Sequence, residues 1–167
     1  MNNTSILIIY EYNYWANAKI IATSALVTPE QFAAHNDSSY GSLRGTILHL
    51  LDAEKSWRLL CQHNQMTFDL KEADYPTLDA IVKEWRVEEK EMRAYIATLN
   101  DDALNGFIRY TLENGTKRER VLWHCLYHVV NHQTQHRAEA AAMLTAFGQS
   151  PGDFDFTLFL NEWGQRK

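Results

Sequence analysis

His124-Cys-Leu-Tyr-His128-Val-Val-Asn-His132-Gln-Thr-Gln-His136-Arg-Ala-Glu139 decides the reading of the chain, because it repeats a histidine every four residues. Each step of four advances about 40° around an α-helix, so the four imidazoles share an arc roughly 120° wide. Imidazoles one turn apart on a rigid helix can converge on one ion, which is why His-x-x-x-His spacing recurs in metal sites. With His124 set at zero, Leu122, Cys125, Leu126, Val129, Ala140, Met143, Leu144 and Phe147 centre at about 150°, the direction of the core. His136 then lies at about 120°, His132 at about 80° and His128 at about 40°. His132 and His136 are therefore the inward pair. His128 flanks them as a reserve ligand or hydrogen-bond partner, and His124 faces solvent or the hairpin.

Outward from this stretch, the helix is predicted from about Glu119 to Phe147, with Gly148 where a C-terminal glycine cap belongs. Before it, Phe107–Leu112 and the basic run after Asn114-Gly115 read as a short hairpin. A third long helix is expected with Pro76 in its first turn, running to Leu99 through Leu78, Ile81, Trp85, Met92 and Ile96. The second starts at a Ser42 cap and carries Leu43, Ile47, Leu50, Leu51, Trp57 and Leu60 until the polar break at His63–Gln65. The first spans about Ile6 to Leu26, and Thr28-Pro29-Glu30 reads as a cap and first turn ahead of a His35–Ser39 loop. The aromatic tail, Gln149–Lys167, is expected to dock on the bundle. Four long helices with a hairpin insertion before the last define an all-α four-helix bundle.

Two ligands on one helix are too few for a stable site, and a third must project from a facing helix. His35 and His63 fall in predicted loops, whereas His49 sits in Ile47-Leu-His-Leu-Leu-Asp-Ala-Glu54 beside a strong apolar stripe. A single helical histidine is more often an ordinary boundary residue; the histidine ladder is what favours ligation. Three neutral nitrogen ligands suit zinc, nickel or iron, and leave open positions where water is activated or a thiolate oriented. Glu139, one turn beyond His136, is placed to act as a base or to anchor an imidazole through its second nitrogen. Glu54 falls in an apolar arc, and its burial calls for a partner such as Arg58 or Arg137.

The 167 residues, 46% hydrophobic and 22% charged, suit one domain spanning 1–167. A net charge of −5 with no basic face argues against nucleic-acid binding. The early apolar run Ile6–Ile9 is too short for a signal-peptide core or membrane span, so a cytoplasmic protein is expected. Cys61 and Cys125 form no C-x-x-C pair and read as buried free thiols.

Four segments, Tyr12–Asn17, Ile47–Glu54, His128–Glu139 and Pro151–Asp155, give the chain a resemblance to the DinB-like (DinB/YfiT) metalloenzyme family along nearly its whole length. The resemblance implies an up-down-down-up bundle, commonly dimeric, with a divalent metal on three histidines that map to His49, His132 and His136. It departs at Ala138, where many members have glycine. Characterised relatives include thiol-dependent S-transferases and a thiol-dependent isomerase. The implied function is a metal-dependent transferase or hydrolase, using zinc or nickel foremost and iron as a third option, on a small-molecule substrate with a low-molecular-weight thiol. The alternative is a non-catalytic metal-binding or stress-related protein.

Overall fold

The computed structural model describes residues 1–112 and 114–164; Glu113 of the expected turn and residues 165–167 of the tail lie outside the described residues. The chain is mostly helical, with one small antiparallel sheet. In order come α1 (Asn3–Ser24), α2 (Pro29–Ala33), α3 (Leu43–His63), a 3-10 turn (Glu72–Asp74), α4 (Leu78–Thr98), α5 (Asp101–Asn105), β1 (Phe107–Thr111), β2 (Lys117–Val121), α6 (Leu122–Ala146) and α7 (Phe156–Gly164).

Caps set the helix starts. The Asn2 side chain accepts from Ser5 N, which starts α1 three residues before the apolar stripe begins. Thr28 and Gln31 form a reciprocal capping box that closes the short α2. Ser42 accepts from Gly45 N, as expected, and fixes the helix that carries His49. At α4 the expectation is corrected: Thr77 is the cap, accepting from Ala80 N, so Pro76 stands before the helix and not in its first turn. The start of α6 also moves, from Glu119 to Leu122, because Glu119–Val121 pair with Phe107–Arg109 in the hairpin. Gly148 at φ +80 ends α6, with Gln149 N donating to the Leu144 carbonyl. The short α5 was not foreseen; Asn100 caps it through Ala103 N. The tail docks as expected: Phe159, 2% exposed, packs against Tyr12 and Trp15 of α1.

Each long helix touches two others, α1 with α6 and α4, and α3 with α6 and α4. Their interior divides into two apolar layers. One gathers Ile6, Tyr10, Leu60, Met92, Ile96 and Leu126; the other Ile20, Leu43, Ile47, Leu51, Ile81 and Leu144. Between them the sequence positions Asn13, Asn17, Glu54, Arg58, Glu88, Gln133 and Arg137 form a polar waist, every one of them buried. Such groups are tolerated only when hydrogen-bonded, and Arg58 meets this need by gripping Glu88 through Nε at 2.6 Å and Nη2 at 2.7 Å. Glu54 is therefore not paired with Arg58, nor hydrogen-bonded to Arg137: its partner is Gln133 Nε2 at 2.9 Å. No described helix is long and apolar enough to cross a membrane.

Candidate metal centre

The α3 and α6 helices run antiparallel, since His49 faces His132 while Trp57, two turns later, faces His128. This register brings together the three histidines that the sequence singled out. One ligand nitrogen from each of His49, His132 and His136 lies within 4.8 Å of the other two. Ring centroids are 5.0 Å apart for His49–His132, 4.8 Å for His49–His136 and 4.5 Å for His132–His136. His49 Nε2 and His132 Nε2 are in hydrogen-bond contact at 2.8 Å, so one of them carries a proton while the other offers its lone pair.

The electrostatics suit ligation. Burial, reinforced by the other imidazoles, pushes the pKa of His49 from 6.5 down to about 3. The same causes, burial first and then His136 and His128, push His132 to about 4. Both rings are thus neutral at neutral pH, the form in which imidazole binds a metal. His136, 4% exposed, has its second nitrogen engaged: Nδ1 lies 3.0 Å from Glu139 Oε2. A proton held on Nδ1 leaves Nε2 free for an ion, the arrangement by which carboxylates orient metal-binding histidines. The donor set therefore fits a single divalent cation.

The remaining histidines stay outside this group. His128 is exposed, 5.6 Å from His132 and 4.7 Å from Trp57 by ring centroids. His124 is exposed and rests edge-on against Trp123, His35 lies in the loop before α3, and His63 ends that helix. Glu139 occupies the anchoring position rather than an isolated one, because the Ser39 hydroxyl donates to its Oε1 at 3.2 Å.

Sequence reasoning missed the loop that covers the site. Tyr40 stacks on His49 at 3.7 Å between centroids with 15° between planes, and stands edge-on to His136 at 5.2 Å. Its phenol is pushed up by burial and by the Glu139 charge. No periodic pattern marks a loop residue; the only signal was an aromatic two residues before the Ser42 cap. Gln133 was also missed, although the helical wheel places it at about 180°, among the apolar positions. It is fully buried, and its amide donates to the Leu50 carbonyl at 3.0 Å as well as to Glu54, fixing α6 against α3 beside His49. A cavity of about 190 Å³ opens beside His49, with Tyr40, Leu48, Asp52 and Glu72 also on its walls. A larger one, of about 400 Å³, lies by the hairpin against Leu60, Met66, Phe68 and Tyr110.

The model of the DinB family matches residues 1–166. The chain is 26% identical over 159 residues to "Protein DinB" of Bacillus subtilis (strain 168), covering 91% of each. Its fold is similar to that of a DinB-like protein from Bacillus cereus ATCC 10987, with a TM-score of 0.67 at 15% identity, over 91% of this chain and 97% of that one.

Proposed function

The chain belongs to the DinB family, and from that premise we propose a metal-dependent enzyme in which His49, His132 and His136 hold a divalent ion and a water or low-molecular-weight thiol is activated beside it. The observation that carries this reading is the convergence of three imidazole nitrogens within 4.8 Å, two of them on rings held neutral. A divalent ion held there supplies Lewis-acid chemistry. Three protein ligands leave positions open to a reactant.

The chain's own groups do the rest. Glu139 holds a proton on His136 Nδ1 and is itself held by Ser39, so we assign it a positioning role. Tyr40 shields the His49 face from water and limits the approach to the cavity beside it. That cavity, at about 190 Å³, is below the usual size of drug-binding pockets and suits a small electrophilic substrate. The reaction is of S-transferase or hydrolase type, with zinc or nickel as the foremost metals and iron third. The working form is a homodimer of single domains spanning 1–167, each an up-down-down-up bundle of α1, α3, α4 and α6.

The test is a screen of low-molecular-weight thiols against electrophilic acceptors, alongside acceptor hydrolysis, with metal-loaded wild type, metal-stripped wild type and His49→Ala. Turnover confined to the loaded wild type is expected. A loaded protein that turns over no acceptor, with thiol or without, contradicts the enzymatic reading in favour of a non-catalytic metal-binding protein.

A further inference from the structure

The polar waist, with Tyr14 beside it, contains six buried side-chain atoms that have no protein partner among the described residues and that the candidate metal centre does not use. Three are donors, Asn13 Nδ2, Asn17 Nδ2 and Arg137 Nε; Gln133 Oε1 is an acceptor; the Tyr14 hydroxyl and Glu54 Oε1, whose carboxyl keeps its proton up to about pH 8, can serve as either. All six residues lie at 6% exposure or less. They also adjoin one another. Asn13 and Asn17 sit one turn apart on α1 and both accept from Arg137 Nη1, while Gln133, one turn from Arg137 on α6, donates to Glu54. Tyr14 and Arg137 both lie close enough to the Glu54 carboxyl to favour its charged form, without either meeting it at hydrogen-bond geometry. Donors, an acceptor and two groups of either kind stand together, so neither a cation nor an anion is called for, and the ligand that satisfies both kinds is water.

We propose that this waist is an internal water-binding site, in which ordered waters bridge Asn13, Asn17 and Arg137 on one side to Glu54 and Gln133 on the other. At about three hydrogen bonds per water, roughly two waters satisfy the six atoms. A cavity of about 250 Å³ between α1 and α4 has Tyr14 and Asn17 on its wall and supplies the route from solvent. The waters give Glu54, itself 0% exposed, a path for exchanging its proton with bulk.

A high-resolution crystal structure of the wild-type protein, with oxygen-17 relaxation dispersion on the same protein in solution, tests this. Density for water within hydrogen-bond distance of Glu54 Oε1 and Arg137 Nε is expected, together with roughly two long-lived waters in solution. Asn17→Leu is expected to lower that solution signal by about half, and Asn17→Ala serves if the leucine variant does not fold. A dry waist in which Glu54 pairs directly with Arg137, no long-lived water in wild type, or an undiminished signal in the Asn17 variant would overturn the proposal.

Discussion

Glu139 touches the candidate centre without being one of its three imidazoles, since one oxygen meets His136 Nδ1 and the other accepts from Ser39. A positioning role and a base role predict different outcomes for Glu139→Ala. Loss of an outer carboxylate typically weakens metal affinity by roughly 10- to 100-fold. Chelator competition is expected to show that loss, with turnover recovering once the ion is supplied in excess. Unchanged affinity with abolished turnover would make Glu139 the base instead. The ligand residues were legible to unequal degrees. The helix period alone aims His132 and His136 inward, whereas His49 rested on a stripe of apolar neighbours and on the family resemblance. Ser39 and Tyr40 were not legible, because a loop side chain reaches its target through chain geometry that no spacing encodes.

Among the elements, α3 and α6 carry the site, and their register is held by Gln133. Its amide donates to the Leu50 carbonyl and the Glu54 carboxyl, both on α3 and both buried. Leaving such groups unpaired costs about 1–3 kcal/mol, so Gln133→Ala is expected to lower unfolding free energy by about that amount in urea titration. A variant as stable as wild type would mean that the register is set elsewhere. The long helices were readable because caps and apolar periods agree: Ser42 precedes a stripe that runs to Leu60, interrupted only where Glu54 and Arg58 enter the polar waist. Their ends were less so. Glu119–Val121 carry no residue that forbids helix; cross-strand pairing with β1 decides their state, and such pairing is invisible to local propensity. The polar waist was half legible. Glu54 was read as needing a partner, but its choice of Gln133 over Arg58 follows from α4, whose Glu88 takes Arg58 away.

For the whole molecule, buried titratable groups make stability depend on pH in a defined way. His49 and His132 take up protons at 6.5 when unfolded but only at about 3 and about 4 when folded. Below pH 6.5 the unfolded chain therefore binds more protons, and stability falls with falling pH. Glu54 acts oppositely: burial, and then the Glu88 charge, lifts its pKa from 4.5 to about 8. Between those values the folded chain binds the extra proton, so stability falls as pH rises. His128, also lowered by burial, adds to the loss on the acid side, and Asp52 and Glu88, raised by burial, act with Glu54; metal-free protein is expected to be most stable between the two ranges, at about pH 6.5. In Glu54→Gln the decline from there to about pH 8 is expected to be reduced. Denaturant unfolding across pH checks both statements; a wild-type profile that is flat above pH 6.5 would contradict the second.

The most direct measurement of the central claim is elemental metal analysis of protein purified without a histidine tag. Wild type and His124→Ala are predicted to hold about one zinc, nickel or iron per chain, and His132→Ala to hold almost none. Protein without stoichiometric metal, or His132→Ala with undiminished content, would contradict the account.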